Sequence, residues 1–220
     1  SYRLPLNTRS SGLMLKVILL SFLFFAGNAW AESIEQLKVK AEQGDSVAQF
    51  RLGKSYYYGE GVDQNHKEAV KWTRLSAEQG DSDAQAVLGA IYVFGEEVIR
   101  DYKEGRKWLQ LSAEQGYSAS QYNLGLSFYD GLGGNKDNKK AVKWFRRAAE
   151  QGDSVAQFRL GYMYDTGEGV RKNEKKAITW YRLAAEQGNS AAQYNLGLSF
   201  YYGEGDKKDK KEAAKWFRRA

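Results

Sequence analysis

With 220 residues, 42% of them apolar and 14% aromatic, the chain carries enough core-forming material to exclude intrinsic disorder. The absence of cysteine excludes disulfides, thiol nucleophiles and thiolate metal sites together. The formal net charge is +6, but residues 1–31 supply Arg3, Arg9 and Lys16 with no acid, leaving 30 basic against 27 acidic side chains. That balance argues against a nucleic-acid reader, which shows a strong basic stripe.

Residues 1–31 read as a segment outside the fold. Met14-Leu15-Lys16 is followed by Val17 to Phe25, apolar apart from Ser21, and then by Ala26-Gly27-Asn28-Ala29-Trp30-Ala31. A basic start, a short apolar core and a small-x-small site predict a signal peptide over 14–31, cleaved after Ala31. Residues 1–13 then form an upstream segment. The apolar core falls well short of the roughly 20 residues that span a bilayer, so the mature chain is expected to carry no membrane span; an uncleaved anchor is the alternative. The expected location is the bacterial periplasm or the exterior.

Beyond residue 31 the chain is periodic. Ala41-Glu42-Gln43-Gly44 recurs from Ala77, Ala113, Ala149 and Ala185, each 36 residues after the last, and Ala41 to Gly53 returns letter for letter at Ala149 to Gly161. A fixed period of this length marks a repeat solenoid. Within the array 32–220, residues 32–43 match only the second half of a unit and predict a capping helix with Ile34, Leu37 and Ala41 on one face. Five units follow: 41–76, 77–112, 113–148, 149–184 and 185–220. Because Ala220 corresponds to Ala148 and Phe217 lacks a following unit, the array is expected to continue past Ala220.

Each unit predicts two helices, A and B. Ser46-x-x-Gln49 and its copies at Ser82/Gln85, Ser118/Gln121, Ser154/Gln157 and Ser190/Gln193 read as capping boxes that open helix A. Ala48, Leu52 and Tyr56 share one face. Gly59, Gly95, Gly131, Gly167 and Gly203 are expected to end helix A in the left-handed conformation. Asn65, Asp101, Asp137, Asn173 and Asp209 announce helix B as N-caps, which then presents Ala69, Trp72 and Ala77. Gly53, Gly89, Gly125, Gly161 and Gly197 fall in mid-helix, where glycine costs about 1 kcal/mol relative to alanine. A cost repeated in every unit predicts a helix contact too close for a β-carbon.

The pattern Ala48-Gln49-x-x-Leu52-Gly53-x-x-Tyr56-x-x-Gly59-x-Gly61-Val62, then Ala69-x-x-Trp72 and Ala77-Glu78-Gln79-Gly80, resembles the Sel-1-like repeat, a relative of the tetratricopeptide repeat. The resemblance covers 32–220. It departs locally at Glu97, where Gly61 would recur, at Ser120 and at Gly133-Gly134. It implies an all-α fold, an αα-hairpin solenoid wound as a right-handed superhelix of five 36-residue units, whose members act as adaptors in protein complexes and, in bacteria, are often exported.

A catalytic constellation is not apparent. His66, the one histidine, sits beside the Asn65 cap as a helix-start residue. Asp165-Thr166-Gly167 spells the aspartic-protease triplet, yet in register Gly167 is the end of a helix A. Ser-x-x-Lys, Gly-x-Ser-x-Gly, His-x-x-x-His and phosphate-loop patterns are missing. The expectation is therefore no enzyme, cofactor or metal. Some similar proteins are cysteine-rich and linked to β-lactam binding; lacking cysteine and a serine–lysine pair, this chain does not inherit that activity from the resemblance.

In the tetratricopeptide arrangement the A helices line the concave side, which nominates a binding surface. Its candidates are Lys54, Tyr57, Tyr58, Phe94, Tyr129, Asp130, Tyr162, Asp165, Thr166, Tyr201 and Tyr202, where tyrosine offers contact area with a polar tip. Phe50, Tyr122, Phe158 and Tyr194 are instead expected to seal neighbouring helices. The expected function is an exported, non-enzymatic, monomeric adaptor holding a protein or peptide partner; the alternative is a protein that binds or modifies cell-wall material.

Overall fold

The computed structural model describes residues 33–95, 100–205 and 207–220, which form helices joined by short loops and contain no strand. The signal peptide, its cleavage site, the upstream segment and Glu97 lie outside the described residues. Contacts divide the chain into two units. The first, 33–123 with 132–134, holds α1 (Ile34–Glu42), α2 (Ser46–Tyr58), α3 (His66–Glu78), α4 (Ser82–Phe94), α5 (Tyr102–Glu114) and the start of α6 (Ser118–Asp130). The second, 124–131 with 135–220, holds the end of α6, α7 (Asn138–Glu150), α8 (Ser154–Thr166), α9 (Glu174–Glu186), α10 (Ser190–Tyr202) and α11 (Lys210–Phe217). Helices A and B thus alternate along both units, as αα-hairpins.

The glycines explain how each hairpin closes. A β-carbon on Gly53 would collide with Thr73 Oγ1, and one on Gly161 would lie 2.7 Å from Tyr181 Cδ1 and 3.2 Å from the Ala177 carbonyl. On Gly125 it would meet Phe145 ring carbons at 2.6 Å, and on Gly197 a Phe217 ring carbon at the same 2.6 Å. The B helix therefore packs directly on the A-helix backbone, and the propensity penalty is outweighed by close packing. Beside this seam Leu52, Leu88, Leu124, Leu160 and Leu196 are completely buried, one leucine per unit in the same register.

The helix starts correct the capping-box expectation for α2, α4, α8 and α10. Their N-caps are Asp45, Asp81, Asp153 and Asn189, one residue earlier than the serines, and each side-chain oxygen accepts the N–H three residues on. Asp and Asn are N-caps as good as serine, and at α2, α4 and α8 the carboxylate also suits the positive helix end, so the serine moves inside the first turn. A capping box does form at Ser33 and Gln36, opening α1.

The displaced glutamines have another task. Gln49, Gln85, Gln121, Gln157 and Gln193 are buried, and each donates Nε2 to the carbonyl of Ala41, Ala77, Ala113, Ala149 or Ala185 at 3.0–3.2 Å. That carbonyl belongs to the last turn of the preceding helix, where carbonyls lack helical partners. The Gln of Ala-Glu-Gln-Gly completes the joint: Gln79 gives its amide to Gln49 Oε1 at 2.7 Å and to the Gly44 carbonyl at 3.0 Å.

Helix ends follow the expectation with one exception. Gly59, Gly131, Gly167 and Gly203 have φ of +74° to +79°, but Gly95 is extended at φ −61°, ψ 144°. Its N–H still reaches the Ile91 carbonyl, so α4 is closed without a left-handed turn. Asn65, Asp101, Asp137, Asn173 and Asp209 cap the B helices as predicted. The tryptophans lie in the packing layer, and Trp72, Trp108 and Trp216 donate Nε1 to a glutamate one turn earlier (Glu68, Glu104, Glu212) at 2.8–3.1 Å.

Candidate protein-interaction surface

In the first unit the candidates cluster at the C-terminal end of α2. Tyr57 and Tyr58 pack edge to face with ring centroids 5.2 Å apart, and Tyr57 meets His66 at 5.0 Å. Burial pushes the Tyr58 hydroxyl up to about 12, helped by Tyr57 and Glu60. Lys54 lies over the Phe50 ring at 6.0 Å. Burial lowers its pKa, while Glu60 and Asp83 pull it back. Phe94 is buried, because α4 is packed on nearly all sides beyond its first turn; it serves the core and is not exposed for recognition.

Asp83 and Tyr117 were not visible as site residues in the sequence. Tyr117 stands beside the Asp83 carboxylate, whose pKa burial raises, with Asp81 adding to it, against the pull of Lys54 and Tyr117. A signal did exist. Tyr117 stands where other units place Asp45, Asp81, Asp153 and Asn189, and Asp83 where they place Val47, Ala119, Val155 and Ala191. Together Lys54, Asp83 and Tyr117 make a half-buried polar strip.

In the second unit Tyr129 is held on both sides. Its hydroxyl lies near Glu168, and Lys136 Nζ lies 4.7 Å from the ring centroid. Asp130 stands at the surface, yet enough protein surrounds its carboxyl for burial to raise the pKa, opposed by Arg159 and Lys136. Tyr162 is half-buried beside Glu168, Asp165 and Arg159. Arg159, overlooked in the sequence, is a buried cation within this group. Asp165 is buried too and accepts the Tyr181 hydroxyl at 3.3 Å, which makes it a packing acceptor rather than an exposed contact. Thr166 is exposed but returns its hydroxyl to the Tyr162 carbonyl at 3.0 Å.

Tyr201 and Tyr202 differ from all of these. They end α10 with rings perpendicular at 5.1 Å, and each is 45% exposed. Phe50, Tyr122 and Phe158 are buried and Tyr194 is partly covered; Phe158 and Tyr194 lie against Tyr181 and Phe217 at 5.9 and 5.6 Å. No group of three or more His, Asp or Glu side chains among the described residues is placed to hold a metal ion.

The Sel1 repeat family model matches this chain five times, over 46–81, 82–117, 118–153, 154–189 and 190–220. The chain is a Sel1-repeat protein. Solved Sel1-repeat structures share its fold. A protective antigen of uropathogenic Escherichia coli displaying an SLR fold is 33% identical with a TM-score of 0.83, over 95% of this chain and 45% of that one. A Sel1 repeat protein from Oxalobacter formigenes is 30% identical with a TM-score of 0.81, over 97% of this chain and 84% of that one. A sel1-like repeat-containing protein of Acanthamoeba polyphaga mimivirus is 45% identical over 38 residues, which is 17% of this chain and 6% of the relative. This Sel1-repeat chain therefore spans less than half of the E. coli antigen and a small part of the viral relative. The all-α hairpin-repeat fold expected from its periodicity is the fold it has.

Proposed function

We propose that this Sel1-repeat protein is an exported, non-enzymatic, monomeric adaptor that holds a segment of a partner protein on its A helices. Export rests on the pattern of residues 14–31, which suits a cleaved signal peptide and a periplasmic or secreted product. Sel1 repeats commonly build protein-interaction scaffolds, and the candidate surface offers aromatic and polar tips suited to recognition.

The observation that carries the reading is the Tyr201–Tyr202 pair, two large rings left 45% exposed at the end of a helix whose other face is fully packed. Rigid tyrosines give contact area with little loss of side-chain freedom. Panning a random peptide library against the protein should return binders whose affinity falls at least ~10-fold in the double variant Tyr201→Ala/Tyr202→Ala. Binders indifferent to that variant, or no binders, would contradict the reading.

A further inference from the structure

Charge in the second unit is divided between its two kinds of helix. Over 136–150 six basic side chains oppose Asp137 and Glu150; over 171–186 five oppose Glu174 and Glu186; over 207–219 seven oppose Asp209 and Glu212. The A-helix stretches of the same unit carry one base, Arg159, against six acids, among them Asp130, Asp153, Asp165, Glu168 and Glu204. A near-neutral chain thus conceals basic B-helix stretches, made of α7, α9 and α11 with the loop residues that lead into them.

Three arginines, two on α7 and α9 and one just past the end of α11, are arranged as open donors. The guanidinium of Arg147 lies over Trp144 at 4.7 Å, that of Arg219 over Trp216 at 4.7 Å, and that of Arg182 over Phe200 at 5.5 Å. None of the three forms an ion pair with a described residue. Stacking on an aromatic face orders the planar group while leaving its N–H fork available for phosphate oxygens. Arg147 and Arg219 occupy the register position filled by Leu75, Leu111 and Leu183 in the other repeats, so helix packing does not demand an arginine there.

Leu183, 40% exposed, shares that register and opens into a cleft of about 440 Å³ lined by Lys175, Ile178, Thr179, Arg182, Leu183 and Gly205. Two bases flank an apolar floor. We propose that the B-helix side of residues 135–220 docks on an anionic phospholipid surface, with this cleft seating one phosphate headgroup and its glycerol shoulder. Nucleic acid would satisfy the bases but has no acyl–glycerol counterpart for Leu183 and Ile178. The interaction is peripheral, since no described helix is long and apolar enough to cross a membrane. It leaves the A-helix tyrosines free and does not depend on peptide binding there.

The test is sedimentation of the full chain with vesicles of phosphatidylcholine, alone or with about 30% phosphatidylglycerol, at low and raised salt. The variant Arg147→Leu/Arg182→Gln/Arg219→Leu takes at each site a residue used in the same register elsewhere in the chain (Leu75, Gln110, Leu111), and a thermal melt reads whether it folds. The parent should prefer the anionic vesicles, release with salt, and lose at least ~10-fold in partition in the triple variant; Tyr201→Ala/Tyr202→Ala should bind vesicles like the parent. Equal partition to neutral and anionic vesicles, as the apolar stretch Val17 to Phe25 alone would give, overturns the proposal. So does a folded triple variant that binds like the parent, or a parent stripped from vesicles by equimolar duplex DNA.

Discussion

Gln187 donates its side-chain amide to Gln157 Oε1 at 2.8 Å, and Gln157 in turn donates to the Ala149 carbonyl at 3.2 Å. The chain of bonds links the end of α7, the first turn of α8 and the end of α9. Gln115, Gln85 and Ala77 repeat it in the first unit, at 2.8 and 3.1 Å. Gln157→Ala removes both bonds, leaving the Gln187 amide without this acceptor and the Ala149 carbonyl with only the backbone N–H groups of its turn, a loss of about 1–3 kcal/mol. Urea denaturation should show it; a midpoint equal to the parent's would mean that water replaces the glutamine.

The helix seam makes a second prediction. Gly125→Val places branched carbon against the Phe145 ring, where even a β-carbon would stand 2.6 Å away. Overpacking of this kind costs about 1–3 kcal/mol, read as a lower melting temperature. An unchanged melt would show that α7 can shift outward freely.

Trp144 is buried to 7% exposure. Trp144→Ala empties that volume and should cost about 3–5 kcal/mol in urea denaturation. Stability equal to the parent's would contradict the packing described for α7.

Asp83 gives a pH dependence of defined sign. Burial, with the nearby Asp81, raises its carboxyl above the usual 3.8, against the pull of Lys54 and the Tyr117 hydroxyl. In the window between 3.8 and the raised value the folded state holds more protons than the unfolded state, so stability falls as pH rises through it. Compared with Asp83→Asn, which does not titrate, the parent should lose stability as pH rises above 3.8 through the raised value. A parent that gains relative to the variant over that range would reverse the sign and show that the Tyr117 and Lys54 contacts dominate.

Much of the fold was legible because the period repeats the same physics five times: leucines, seam glycines and B-helix caps all fall where spacing placed them. The A-helix start was misjudged because Asp45 and Ser46 are adjacent and both suit a cap. Spacing cannot choose between them, and the partner that reveals the true role of Gln49 is Gln79, 30 residues away. The candidate surface was less legible. Phe94 holds a register position that is exposed at Asp130, Thr166 and Tyr202, and Asp165 one that is exposed at Tyr201, yet local packing buries both. Asp83, Tyr117 and Arg159 were missed because the alternation of helices brings them to their partners, while their own motifs are silent.

On the proposed function, a partner engages the A-helix surface at the end of α10. A photo-crosslinking amino acid placed at Tyr202, and separately at Lys143 on α7, tests it in cells of the native host. The expected result is a discrete protein adduct from position 202 that excess Tyr201→Ala/Tyr202→Ala protein fails to compete away, and none of that mass from position 143. Protein adducts from 143 alone, or the same adduct from both, would contradict it.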